Sequence, residues 1–268
     1  MTDQQTRAGT FRALHTAGRP IVLFNVWDPG SAKAVEAAGA AALATGSWSV
    51  AAAFGQPDGE HLPLTLALDN LARIVAATDL PVSIDLESGY GEDPAGVGRA
   101  VAEAMTVGAI GCNLEDSFPT TGQLRGIEDQ VERLRAARAA MDLAQVAGFL
   151  NARTDVFFQA PAEAHDPAMV EAALERAHAY AAAGADGIFM PGLADLRLIE
   201  IAAKASPLPL NIMAGERTPE LAALARVGVA RVSHGPGPYL TAMRAVEEAA
   251  RAAFDGGASA ADRSANAA

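Results

Sequence analysis

Short apolar runs alternate with longer, Ala-rich amphipathic stretches along nearly the whole chain. The runs are IVLFNV (21–26), AALATG (41–46), PVSIDL (81–86), AIGCNLED (109–116), AGFLNAR (147–153), DGIFM (186–190), LPLNIM (208–213) and ARVSHG (230–235). Each has the length of a parallel strand buried on both faces. The stretches between them, such as PAGVGRAVAEAMTVG (94–108) and DPAMVEAALERAHAYAAAG (166–184), carry helical spacing. Asp166 before Pro167 reads as an N-cap followed by proline at the first helical position. Gly39, Gly108, Gly184 and Gly228 each close an Ala-rich helix ahead of a strand. Eight strand-then-helix units predict an α/β fold, a (β/α)8 TIM barrel. The expectation is a single barrel domain over 1–268, with its core at about 20–254 and a frayed tail at 255–268. An open doubly wound sheet is the alternative, but the first run leads into NVWDPGSAKA (25–34), which is no G-x-G-x-x-G phosphate loop.

Composition narrows the function. Half of the 268 residues are hydrophobic, 19% are charged and only 5% are aromatic, so a globular core must be built mostly from Ala, Val, Leu and Ile. Asp plus Glu outnumber Lys plus Arg by 32 to 20, a net charge of -12. Such a chain is a poor partner for nucleic acid or an anionic membrane, both polyanions. The single cysteine, Cys112, excludes an intrachain disulfide and a Cys-rich zinc site. No apolar run is long enough for a membrane span, and the start MTDQQTRAGT lacks a signal-peptide core. A cytoplasmic location is expected.

A barrel places its chemistry at the C-terminal ends of its strands. Alternation puts Ser83, Asp85 and Glu87 on one face of the third run, opposite Val82, Ile84 and Leu86. The apolar set should face the helices, so Asp85 and Glu87 should point into the barrel mouth. Asn113 and Glu115 share a face of the fourth run, Asn151 and Arg153 a face of the fifth, and Leu43, Thr45 and Ser47 a face of the second. Strand ends are also polar simply because they meet solvent. Three acids converging with an arginine exceed that need, since two carboxylates at 4 Å repel by about 4 kcal/mol at an effective dielectric near 20. Such a cluster needs a cation or raised pKa values. Carboxylates with no His or Cys among them suit Mg2+ or Mn2+ better than zinc. Arg153 matches a carboxylate bidentately, or else pairs with Asp155 or Glu115. His234, after the eighth run, shares a face with Val232 and reads as structural or subunit-facing.

At these residues the chain resembles the isocitrate lyase/phosphoenolpyruvate mutase superfamily. The resemblance is carried by TGSWSVAAAFGQPD (45–58), PVSIDLESGYGED (81–93), NLEDS (113–117) and NARTD (151–155) leading to AYAAAGADGIFM (179–190), in that order across about 20–215. It implies Mg2+-dependent chemistry on 2-oxo acids or their enolates, and a barrel whose C-terminal helix is swapped with a neighbouring subunit in a homodimer or homotetramer. By position, Asp85 would stand nearest the metal, with Glu87, Glu115 and Asp58 holding it largely through water. Thr45, Gly46, Ser47 and Trp48 would cradle one end of the substrate, with Asn113 and Asn151 beside it and Arg153 on its carboxylate.

The departures from the family pattern restrict the reaction. The lyase branch carries a Lys-Lys/Arg-Cys-Gly-His loop after the fourth strand, and the mutase branch a Lys and an Asn-Ser pair. Here the segment reads SFPTTGQLRG (117–126), with Thr120 and Thr121 near that place. Cys112 lies before Glu115 on the opposite strand face and reads as a small buried hydrophobe. The loop has no acid suited to protonating the enolate of isocitrate or 2-methylisocitrate, so neither should be cleaved at a useful rate. The sequence therefore points to an Mg2+-dependent enzyme acting on a small 2-oxo acid or phosphonate. The reaction is C–C or C–P bond cleavage or a phosphonomutase rearrangement, with Asp58, Thr120 and Arg153 as candidate catalytic residues. A non-catalytic 2-oxo-acid binding protein on the same barrel is the alternative. A Schiff-base aldolase is disfavoured, because Lys33 and Lys204 both sit in helical stretches.

Overall fold

The computed structural model describes residues 3–254, so the 255–268 tail lies outside the described residues. The chain opens with α1 (Asp3–Leu14), β1 (Ile21–Leu23), α2 (Pro29–Ala37), β2 (Leu43–Ala44), α3 (Ser47–Ala53) and α4 (Leu64–Ala76). It continues through β3 (Val82–Asp85), α5 (Pro94–Val107), β4 (Gly111–Glu115), α6 (Ile127–Leu143), β5 (Phe149–Arg153) and α7 (Pro167–Ala182). It ends with β6 (Gly187–Met190), α8 (Leu196–Ala205), β7 (Leu210–Met213), α9 (Leu221–Arg226), β8 (Arg231–Ser233) and α10 (Gly237–Phe254). All eight apolar runs thus contain a strand. The helices start where the capping chemistry says. Asp28, Asp93 and Asp166 each accept a backbone N–H with a proline at the next position. Gly108 ends α5 at φ 116°, a left-handed conformation that a side chain would strain.

The strands are parallel and ordered β1-β8-β7-β6-β5-β4-β3-β2. A single bridge, Val26 to Thr45, closes the ring. There Val26 N–H donates to the Ala44 carbonyl at 2.9 Å and Gly46 N–H to the Val26 carbonyl at 3.3 Å. The result is the nearly closed (β/α)8 barrel. Leu43, Ile84, Leu114, Leu150, Ile188 and Ile212 pack outward against the helix layer in one continuous core. Buried Cys112 belongs to the same core, and burial pushes its thiol up to about 12, which suits an inert hydrophobe.

The barrel interior is polar where aliphatic layers are usual. Strand register sets Asp85 beside Asn113, Asn113 beside Asn151, and Glu115 beside Arg153. Asn211 stands beside both Phe189 and Arg231. Asn151 Nδ2 donates to Asn113 Oδ1 at 2.9 Å. Gly187 makes room for this pair, since a Cβ there would lie 2.7 Å from Asn151 Oδ1. Arg231 crosses the interior from β8, donating to Ser233 Oγ at 3.1 Å and to Asn113 Oδ1 at 3.3 Å. Burial lowers this guanidinium to about 9, with Asp85 pulling the other way. Barrel packing alone gives no reason for so much buried polarity, and the residues involved lie directly beneath the strand ends.

Candidate active site

Strands β3 to β8 and the segments beyond β1, β2, β5 and β8 enclose a cleft of about 210 Å3. Of the residues expected from sequence, Gly46, Ser47, Trp48, Asp58, Asp85, Asn113 and Arg153 line it. Asp85 ends β3, and its Oδ2 accepts the Ser47 N–H at 3.4 Å. Asp58 comes from the loop between α3 and α4. Burial and the nearby Asp85 charge raise its carboxyl above the usual range.

Arg153 is held by two acids. Its Nε and Nη2 donate to Asp155 Oδ1 and Oδ2 at 2.6 and 3.0 Å, and its Nη1 pairs with Glu115 at 2.8 Å. Three of the five guanidinium N–H groups are thereby committed and two remain. Both readings of Arg153 are therefore compatible with its position at the cleft. The Ser117 hydroxyl lies 3.0 Å from Glu115 and 2.7 Å from Asp155, tying the two carboxylates together. Burial raises the Glu115 carboxyl, against the pull of Arg153.

The other expected residues stand behind the cleft or away from it. Thr45 Oγ1 accepts the Asp85 N–H at 3.0 Å and so braces β3. Asn151 orients Asn113 from below. Glu87 does not follow strand alternation, because β3 stops at Asp85 and Glu87 adopts φ 50°. Its carboxylate accepts the Gly59 and Glu60 N–H groups at 2.8 and 2.6 Å and the Tyr90 hydroxyl at 3.0 Å. Burial, Asp58 and Asp85 raise it to about 7. Glu60 reciprocates by accepting from Ser88 Oγ and Tyr90 N–H, so two carboxylates clasp the Asp58 loop to the loop after β3. Thr120 is exposed in a small hairpin closed by a Ser117–Leu124 bridge, and no residue of the 117–126 loop lines the cleft. The Arg125 guanidinium lies over the Phe118 ring, 4.0 Å from its centroid.

Several cleft residues were not singled out from the sequence. Asn25 is one, and it ends the first strand run with the same polar-at-one-end signal used for the others. Ser233 is another, on the face opposite His234, whose ring packs 5.0 Å from that of Phe24. Phe158, Phe189, Met213, Gly235 and Pro236 complete the lining, and no polar signal marks them. Arg133 was also missed. From α6 it donates to the carbonyls of Ser88 and Gly91 at 2.8 and 2.9 Å and so shapes the loop that follows β3.

No three His, Cys, Asp or Glu side chains form a direct metal cage among the described residues. The donors present still fit a hard cation that keeps most of its water shell. Asp85 and Asp58 present carboxylate oxygens to a cleft, and no imidazole or thiol stands in its lining.

A barrel with paired acids and a braced arginine at its C-terminal mouth is the frame of an enzyme for small anionic substrates. The chain belongs to the phosphoenolpyruvate phosphomutase family, whose profile matches residues 11–254. It is thus a member of the isocitrate lyase/phosphoenolpyruvate mutase superfamily of phosphonomutases, lyases and hydrolases. It is similar to the crystal structure of a provisionally assigned phosphonomutase from Burkholderia cenocepacia J2315. The two share 56% identity and a TM-score of 0.91, over 95% of this chain and all of that one. The oxaloacetate decarboxylase of Ectopseudomonas mendocina is 31% identical over 90% of this chain and 82% of its own length. A phosphonopyruvate hydrolase solved with oxalate and Mg2+ is 26% identical, with a TM-score of 0.81 over 94% of this chain and 88% of that one.

Proposed function

We propose that this protein is a cytoplasmic, Mg2+- or Mn2+-dependent enzyme that acts on a small 2-oxo acid or phosphonate through an enolate, breaking or moving a C–C or C–P bond. The observation that carries the reading is the placement of the Asp85 and Asp58 carboxylates and the Arg153 guanidinium around one 210 Å3 cleft. That volume lies below the range of about 300–1,000 Å3 usual for drug-sized ligands and suits a short-chain acid. Asp85 would hold the metal, with Asp58 reaching it through water and Glu87 and Glu115 shaping the shell from behind. A divalent ion there supplies Lewis-acid stabilisation of charge on a 2-oxo group. The two uncommitted N–H groups of Arg153 bind and orient the substrate carboxylate. Gly46, Ser47 and Trp48 form the wall at the opposite end of the molecule, and Asn113, fixed by Asn151 and Arg231, supplies an amide between them. No side chain of the 117–126 loop lines the cleft, which supports Asp58, with its raised carboxyl, as the proton carrier in this reading.

The assembly reading rests on α10. Leu240, Met243 and Val246 recur at three-residue spacing on this helix and are all exposed, and Pro238 is its only buried residue. The barrel carries an apolar groove lined by Leu14, Ile21, Val22, Phe24 and Val35. An α10 from a second subunit, seated in that groove, would cover both surfaces and give the swapped homodimer or homotetramer.

The test is a screen of oxaloacetate, phosphonopyruvate, phosphoenolpyruvate and branched malates with Mg2+, followed by phosphorus and proton NMR. Turnover of at least one compound that is abolished by Asp85→Ala supports the reading. Absence of turnover, together with Mg2+-dependent oxalate binding by calorimetry, would favour the non-catalytic binding protein.

A further inference from the structure

Arg231 on β8 is 1% exposed and forms no ion pair among the described residues. A buried charge without a partner carries a desolvation penalty. The guanidinium spends its donors inside the barrel, Nε on Ser233 Oγ and Nη2 on Asn113 Oδ1, while the buried Nη1 has no partner. What it does to Asn113 gives this placement a purpose. A guanidinium has donors and no acceptor, so the Asn113 atom that faces it is the carbonyl oxygen. Asn151 Nδ2 donates to the same oxygen at 2.9 Å.

Two amides alone could pair in either sense, with Asn113 donating to Asn151 or the reverse. The sense seen here leaves Asn151 Oδ1 buried and unpartnered, so the amide pair gains nothing by it. Arg231 breaks the tie. With Oδ1 held by two donors, Nδ2 is the amide atom that Asn113 has left for the cleft it lines.

We propose that Arg231 is a positioning residue that fixes Asn113 as an N–H donor, so that the substrate atom over β4 is an acceptor oxygen. The inference rests on the 2-oxo-acid reading above. Strand β4 lies between β3 and β5, and register sets Asn113 beside Asp85. A ligand reaching from a cation at Asp85 to Arg153 therefore passes over Asn113. A keto, enolate, carboxylate or phosphonate oxygen meets a donor there that is aimed before the ligand arrives, so no reorganisation is needed as negative charge builds on it. An amide free to turn would also present Oδ1, which repels such an oxygen.

The experiment is a double-mutant cycle on the full chain, read by calorimetry of oxalate binding in saturating Mg2+ and by kcat/KM for any compound turned over. Asn113→Ala is expected to weaken oxalate binding about tenfold or more, the worth of a hydrogen bond to a charged group. Arg231→Gln should cost as much in the parent, because glutamine offers an oxygen as well as an N–H and lets Asn113 turn. That cost should shrink about tenfold in the Asn113→Ala background, where no amide remains to orient. Arg231→Lys keeps a donor-only cation and should bind oxalate within about threefold of the parent. A merely structural arginine would not be rescued by lysine and would not couple to Asn113. Effects of Asn113→Ala and Arg231→Gln that add to within about twofold, or Arg231→Lys binding as weakly as Arg231→Gln, overturn the proposal and leave the 2-oxo-acid reading in place. Should Arg231→Gln fail to fold, Asn113→Ala decides alone, and oxalate affinity within about twofold of the parent overturns the proposal. If the parent itself binds no oxalate in Mg2+, the 2-oxo-acid reading fails and the role of Arg231 falls with it.

Discussion

Acidification from pH 7.5 to 5.0 should destabilise this barrel through His15 by about 2 kcal/mol. His15 follows α1, with its ring stacked 3.9 Å from that of Phe149 and edge-on to Phe11. Nδ1 lies 2.9 Å from the Phe11 carbonyl, while the buried Nε2 has no partner. Protonation would place a second N–H where nothing accepts it, near the positive Arg231. Burial first, and Arg231 second, hold the imidazole down to about 3. The unfolded chain takes up its proton near pH 6.5. A depressed folded pKa makes the contribution complete above that value and progressively lost as pH falls toward 3. At pH 5.0 the unfolded state gains about 1.5 pH units' worth of protonation, at about 1.36 kcal/mol per unit. Raised carboxyls such as Glu87 act in the opposite sense, so the measurement is a difference. Urea unfolding of the parent and of His15→Phe, which keeps the ring stack, is compared at both pH values. The parent should lose about 2 kcal/mol more than the variant on acidification. Equal losses, to within about 0.5 kcal/mol, would show that the imidazole is not held neutral by its surroundings.

Four further outcomes are expected. Asp85→Ala should abolish turnover on any substrate found and weaken Mg2+ binding measured by calorimetry in the presence of oxalate. Tyr180→Phe should lower stability by about 1–3 kcal/mol in urea unfolding, because the Tyr180 hydroxyl donates at 2.8 Å to the fully buried Asp116. Val246→Asp should dissociate the proposed assembly to monomers in light scattering, by placing a charge in the exposed apolar stripe of α10. Isocitrate and 2-methylisocitrate with Mg2+ should release neither glyoxylate nor pyruvate at rates near 1 s⁻¹, the low end of typical enzyme turnover.

The strands were legible because a parallel strand covered on both faces reads as an unbroken apolar run. The helix starts were legible because Asp-Pro pairs announce themselves. The cleft was legible where polar strand ends or the family motifs mark it, as at Gly46, Ser47, Trp48 and Asp58. Asp85, Asn113 and Arg153 stand on regular strands, where alternation assigns faces correctly. Glu87 lies two residues along the same pattern, but past the end of β3, and its left-handed backbone turns its carboxylate toward the Asp58 loop. Backbone bonds to β4 run on through Leu86 and Glu87, but strand alternation carries no information where the backbone turns left-handed. The apolar lining escaped notice for another reason. Phe189 and Met213 look like ordinary core residues in sequence, and only their strand positions place them at the mouth rather than in the packing. Arg153 shows a third limit, since sequence posed substrate contact and ion pairing as alternatives while its five donors leave room for both.

The closure between β1 and β2 rests on the one Val26–Thr45 bridge, and one side chain reinforces it. Asn25 Nδ2 donates to the Thr45 carbonyl at 2.9 Å, and its Oδ1 accepts the N–H groups of His234 and Gly235, both at 2.9 Å. One amide therefore laces the first, second and eighth strands together at the substrate end of the ring. Asn25 also lines the cleft. Architecture and recognition share a part here, which limits how the site can diversify. A change at Asn25 that reshaped the cleft would also unlace the ring, so new specificities are more accessible through Met213, Phe158 and Trp48, whose loss opens space without loosening the seam.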